Sequence, residues 1–431
     1  TAKRVLCLFQ SGGLSHVDLF DDKPALHEFA GKDLPPSIKG TQRLTGMTSG
    51  QKGYPVRPPL MDGKACGKHG TWISNLLPHI QTIADDICII KTLNTEAINH
   101  DPAITFLNTG NQQPGYASMG AWASYGLGTE NANLPAFIAM VSQGTGKNPG
   151  QPVFSRLWGS GFLPSNHQGV GLRPGANPVL YLQNPPTVDG AQRRELLDDL
   201  ATLNEERARE LGDPETITRI KAYEMAFRMQ TSVPGLLDFK NEPKSVLEMY
   251  GPDVLKPGTF ANNCLIARRL AERGVRFTQL MHAGWDQHNN LTTGQLAQQC
   301  LDTDQASAAL VKDLKQRGLL DDTLVVWGGE FGRTPFAQNQ AGQGFKGRDH
   351  FGRAYSWWLA GGGVKPGYVH GETDDFGWNI TKDRVHIHDM QATLMHLFGI
   401  NHEGLLFRYQ GRQFRLTDVE GHVVKGMLKH A

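Results

Sequence analysis

The sequence predicts an α/β fold: a mostly parallel central sheet flanked by helices on both faces, with loop and helical insertions. Three observations carry that expectation. Short continuous apolar runs recur at 5–9, 87–90, 137–141, 275–281, 324–327 and 355–359, the pattern of strands buried on both faces. Helical patterns alternate with several of them, most clearly at 260–273 and 294–317. Polar clusters follow the runs closely, and open parallel sheets bind ligands beyond the carboxyl ends of their strands.

The first run ends in the glycine turn Gln10-Ser11-Gly12-Gly13, with His16 and Asp18 just beyond it. The second leads, one loop later, to Asn99-His100-Asp101-Pro102 and a helix closing at Gly110. His100 or Asp101 stands at or just before that helix start, where free backbone N–H groups favour negative charge, and Pro102 suits the first turn. The fourth run is followed by Gly284-Trp285-Asp286-Gln287-His288, a carboxylate and an imidazole spaced to reach one cation. The fifth is followed by Glu330 on a glycine turn and by Arg333, whose guanidinium can fork onto an oxyanion. Gly347-Arg348-Asp349-His350 precedes the next strand with another carboxylate and imidazole. Gly361-Gly362-Gly363 lacks a phosphate-loop frame and reads as a turn; 389–398 reads as a helix with Asp389 as its N-cap.

Segments 31–72 and 143–187 are glycine- and proline-rich, and 190–250 is charged and helical. They read as insertions or a cap within one domain spanning 1–431. Trp158, Phe162 and His167 in the second insertion are suited to stacking on sugar rings.

Lys plus Arg (43) nearly balance Asp plus Glu (42), which leaves no global field to recruit nucleic acid or an anionic membrane. No apolar run is long enough for a membrane span. The five cysteines are scattered and odd in number, without a CxxC pair, which argues against a disulfide framework and a cysteine zinc site; Cys7 and Cys88, inside apolar runs, are expected to be buried thiols. GxSxG and HExxH are absent, which sets aside serine hydrolases and zincins, and a dinucleotide-binding enzyme is not expected either.

In order, RVLCLFQSGG, DLFDDKP, NHDPAITFLNTG, GWDQH, GGEFGRTP, GRDH, AGGGVKPGYVHGETDD and HDMQATLMHLFGINHE resemble the domain-of-unknown-function family numbered fifteen hundred and one, across essentially the whole chain. That family stands near the sulfatases, in the alkaline phosphatase superfamily. The resemblance implies an alkaline-phosphatase/sulfatase-like fold and an exported protein, periplasmic or secreted, whose twin-arginine leader is not in this chain. DPAITFLNTG also resembles the sulfatase signature helix, with His100 where the nucleophile would stand and Pro102 matching the signature proline. The chain has neither Cys-x-Pro-x-Arg nor Ser-x-Pro-x-Arg, and Ile104 replaces the signature arginine. A formylglycine nucleophile is therefore not expected.

The expected activity is hydrolysis of sulfate esters, on sulfated carbohydrates, with one or two divalent cations (zinc, manganese or calcium). Asp286, His288, Glu330 and His350 are the expected ligands, with Asp18 as a fifth. Arg333 and Arg348 would clamp the anion, and His100 would be nucleophile or general acid/base. His16, Asp101 and Asp349 are expected substrate contacts. A phosphatase or phosphodiesterase of the same superfamily, or a glycan-binding relative without turnover, are the alternatives.

Overall fold

A computed structural model describes residues 1–144, 153–175, 177–180, 182–212, 214–288, 291, 295–340 and 344–430. Gly294, the expected start of one helix, and 145–152 of the second insertion lie outside them.

The strands that matter are β1 (Arg4–Ser11), β2 (Ile87–Asn94), β3 (Phe137–Ser142), β4 (Val170–Leu172), β5 (Phe277–Ala283), β6 (Thr323–Gly328), β7 (Gly332–Gln340), β8 (Gly344–Phe351), β9 (Tyr355–Ala360), β10 (Tyr368–His370) and β11 (Val385–His386). The central sheet runs β10-β2-β9-β6-β1-β5-β3-β4, with β11 also on β2. β1 pairs in parallel with both neighbours, Leu8 facing Leu280 on one side and Trp327 on the other. β9 is antiparallel to β2 and to β6, so the sheet is mixed but mostly parallel.

Alternation along β1 shows why the run reads as unbroken apolar sequence. Leu6 and Leu8 enter the core that holds Cys264 and Leu265 of helix Phe260–Glu272 and Leu310 of helix Gln295–Gln316. Val5, Cys7 and Phe9 face the opposite core, with Ile104 of helix His100–Thr109 and Met390 of helix Ile387–Leu397. A strand with period-2 side chains and helices over both faces has no polar side. All five cysteines are buried and unpaired, and burial pushes the Cys7 thiol up to about 12.

The insertions are built into this frame. Residues 31–72 supply Leu34 and Val56 to a small core with Val17, Phe336, Phe351 and Trp378. Part of 143–187 becomes β4 at the sheet edge. Phe162 packs among Tyr116, Trp122 and Phe414, and the His167 ring meets the Ser124 hydroxyl at 3.0 Å, so both are engaged by protein groups. Helices Gly190–Leu211 and Pro214–Leu237 are tied by a two-pronged Arg194–Glu224 pair, and Met229, Val233 and Leu236 reach the main core.

Two local readings gain detail. GRDH precedes the strand Tyr355–Ala360 as expected and is itself part of β8, which pairs antiparallel with β7. Helix Ile387–Leu397 is capped by His386, not Asp389; Asp389 occupies the third helical position and accepts the His386 backbone N–H in a reciprocal capping box.

Candidate metal centre

Four parallel strands deliver the site at their carboxyl ends. Gly12 follows β1, His100 opens the helix after β2, Asp286 and His288 follow β5, and Glu330 follows β6. The chain just past β6 comes close to β1 because glycine leaves room: a Cβ on Gly329 would fall 2.5 Å from the Gln10 carbonyl oxygen. Gly12 adopts φ +128°, and a Cβ there would lie 2.4 Å from the backbone nitrogen of Asp286. In that position its N–H donates to both Glu330 carboxylate oxygens, at 3.0 and 3.2 Å.

Among the described residues, the His, Cys, Asp and Glu side chains close enough to share one ion are His100, Asp286, His288 and His350, with their ligand atoms within 4.8 Å of one another. Asp286 Oδ1 is the hub: His288 Nε2 lies at 2.8 Å, His100 Nε2 at 3.3 Å and His350 Nε2 at 3.5 Å.

The far nitrogen of each ring is held by an acceptor. His288 Nδ1 lies 2.6 Å from Gln338 Oε1, His350 Nδ1 lies 2.8 Å from the Ile98 carbonyl, and His100 Nδ1 lies 2.5 Å from Glu330 Oε1. Acceptors there keep a proton on Nδ1 and turn the three Nε2 atoms inward. The His288 and His350 Nε2 lone pairs then face each other at 2.9 Å, and His100 Nε2 is buried 3.3 Å from Asp286 Oδ1. Lone pairs so placed repel unless a cation lies between them. Imidazole nitrogens and one carboxylate are a donor set that zinc and related divalent ions accept, with outer contacts of the kind that orient ligands. The residues present fit such an ion.

The electrostatics differ from one member of the cluster to the next. Burial drives the His350 imidazole down to about 4, so it is neutral. Burial opposes ionisation of Asp286, but its contacts with His100, His288, His350 and Arg333 outweigh that and hold it well below the carboxylate range. Burial would also lower His100, yet hydrogen bonds to Asp286 and Glu330 leave it raised. Phe331 is buried against two rings, with centroids 4.9 Å from His100 and 4.6 Å from His350, and keeps that side dry.

Of the sequence-predicted residues, Asp286, His288, His350 and His100 come together. Glu330 stands behind His100 rather than in the cluster. Arg333 reaches it, donating to Asp286 Oδ1 at 2.6 Å and to His288 Nε2 at 3.3 Å. Its other N–H groups bond the carbonyls of Gly12, Gly13 and Arg348, so it is a fixed charge rather than a free fork.

The rest are placed elsewhere. Arg348 is fully buried and donates to Asp18 at 2.8 Å and to the carbonyls of Thr334, Arg57 and Pro58. Asp349 accepts from the hydroxyls of Thr45 and Thr48, both at 2.5 Å. His16 is buried with Nε2 2.9 Å from the Gly377 carbonyl, and Asp101 pairs with Arg156. For Arg348 the reason is local geometry: the β7/β8 register shifts between Arg348 and His350. In a regular strand those two side chains would share a face; a bulge re-aims one of them. His350 therefore joins the cluster while Arg348 turns to Asp18.

Gln338, the Ile98 carbonyl and the Gly12 N–H were missed by sequence reasoning, because an amide and two backbone groups carry no motif. Gln338→Leu is expected to lower divalent-ion affinity about 10- to 100-fold, measurable by competition with a chelator. It removes no ligand atom and only frees the His288 tautomer.

A family model described as a protein of unknown function, DUF1501, matches residues 2–428. The chain belongs to the DUF1501 family. No curated protein matches it. Among solved structures it is similar to the PsFucS1 sulfatase from Pseudoalteromonas sp., with 13% identity, TM-score 0.38, and 94% of this chain and 69% of that one covered. It is also similar to the phosphonate monoester hydrolase SpPMH from Silicibacter pomeroyi, with 11% identity, TM-score 0.31, and 82% and 72% covered. A TAB5 alkaline phosphatase with Mg bound gives 11% identity, TM-score 0.36, and 93% and 99% covered.

Proposed function

We propose that this DUF1501 protein is a metal-dependent hydrolase of sulfate esters carried on carbohydrates. Asp286, His288 and His350 would hold one divalent cation, with His100 working beside it. The observation that supports this most is the inward convergence of three tautomer-fixed imidazoles on Asp286 Oδ1 at the carboxyl ends of the sheet. A divalent cation bound there would act as a Lewis acid on an ester oxygen.

The chain's own groups supply the rest. Arg333, pinned by three carbonyls, sets a positive charge where negative charge develops in the transition state. Glu330 keeps the His100 proton on Nδ1, so Nε2 is the atom that takes a proton from the attacking hydroxyl or returns one to the leaving alcohol. No cysteine stands at the helix start, so a formylglycine route is not part of the reading. Sulfate rather than phosphate, and export to the periplasm or beyond, rest on the family resemblance alone. No helix among the described residues is long and apolar enough to cross a membrane.

Aryl sulfate, aryl phosphate and phosphodiester substrates, each tested with zinc, manganese and calcium, separate the readings. Sulfate turnover that a chelator abolishes is the expected result. Turnover on phosphate alone would make this a phosphatase, and metal binding without any turnover a glycan-binding protein. His100→Ala is expected to cut turnover about 10²- to 10⁴-fold while the metal stays bound. Unchanged turnover would remove His100 from the reaction, and lost metal would make it a fourth ligand.

A further inference from the structure

The outer side of the metal centre carries a feature that hydrolysis of a single ester group does not use. A cavity of about 160 Å³ is lined by Arg43, Arg353, Glu96, Ile98 and His350. His350 is shared: its Nε2 faces the cluster and its Nδ1 faces Ile98, so the cavity lies one imidazole away from the hub. Arg43 comes from the first insertion and Arg353 from the turn between β8 and β9. Both side chains are exposed, and neither makes a hydrogen bond or ion pair among the described residues.

Other arginines, among them Arg156, Arg194, Arg268, Arg317, Arg333, Arg348 and Arg412, are each paired with a carboxylate. The carboxylate in the cavity is already committed. Glu96 accepts from His386 Nε2 at 3.0 Å and from the Gln112 amide at 3.2 Å. Two arginines lining one small cavity bring like charge to it, and an anion bound there would offset that charge and offer acceptors to both forks.

We propose that Arg43 and Arg353 form a second anion subsite that holds a negatively charged substituent of the substrate other than the group at the metal centre. The substrate class is then a polyanion: a saccharide bearing at least two sulfate or carboxylate groups, one at the hub and another beyond His350. This rests on the hydrolase reading for the first group but not for the second, because the arginines select charge whatever chemistry follows.

Non-hydrolysable sulfonates test it. On the metal-loaded protein, calorimetry with benzene-1,3-disulfonate and benzenesulfonate is expected to show the disulfonate binding about tenfold tighter or better. In the Arg43→Ala/Arg353→Ala variant that ratio is expected to collapse towards one, and in Arg43→Lys/Arg353→Lys to fall between. Equal binding of the two probes by the unaltered protein, or a ratio that survives the double alanine change, overturns the subsite. A preserved disulfonate preference in a protein that hydrolyses no ester would overturn the hydrolase reading and leave the subsite standing.

Discussion

Asp286→Asn is expected to reduce divalent-ion affinity by more than about 100-fold and to abolish measurable ester hydrolysis. The margin follows from position. Loss of an outer contact costs about 10- to 100-fold, and Asp286 is not an outer contact but the one anionic atom that all three imidazoles and Arg333 approach. Asparagine keeps the shape and removes the charge, leaving Arg333 as an unneutralised cation against the inward lone pairs. Arg333 still has the carbonyls of Gly12, Gly13 and Arg348, so the fold around it is expected to persist. Equilibrium dialysis of the ion, read beside an unchanged far-UV spectrum, checks both halves. An Asp286→Asn protein that binds metal as tightly as the parent would remove Asp286 from the ligand set.

A second large effect is predicted in stability, at a pair that the sequence presents as part of the active site. Asp18 and Arg348 are both fully buried, 2.8 Å apart. Asp18 also accepts from the Leu60 N–H at 2.7 Å and from the Ser15 hydroxyl, while Arg348 bonds the carbonyls of Arg57 and Pro58. The pair therefore locks the turn after β1, the first insertion and the β7/β8 hairpin together beneath the metal centre. Asp18→Ala strands a buried guanidinium without a counter-charge and is expected to cost about 3–5 kcal/mol. Denaturant unfolding of the metal-free protein measures it as a lowered midpoint. Replacing both partners by apolar residues, Asp18→Leu with Arg348→Met, is expected to cost less than the two single changes summed, because no unpaired charge remains. A metal-ligand role for Asp18 predicts the reverse: an unchanged midpoint without metal and weakened ion binding.

Those two residues mark where the sequence stops being legible. The apolar runs announce the sheet because strands buried on both faces have no polar side, and the polar clusters after them announce the strand ends. Asp286 and His288 are two residues apart on one loop, so their meeting is a local fact. His100 was legible as an imidazole at a helix start, and His350 as one beside a carboxylate ahead of a strand. Arg348 was not, because its direction depends on a register shift that only pairing with β7 creates. Glu330 was misplaced by one contact. It has the charge and position of a ligand, but the Gly12 N–H and the His100 ring occupy its oxygens. Nothing near Asp18 in sequence reveals a partner 330 positions away.

At the centre of the proposed function, Asp286, His288 and His350 enclose a cation with His100 beside it. Anomalous scattering from a crystal grown with zinc or manganese tests it most directly. The expected result is a single strong peak about 2.0–2.2 Å from Asp286 Oδ1 and from the Nε2 atoms of His288 and His350. A peak elsewhere, or none with the four side chains still converged, would contradict it.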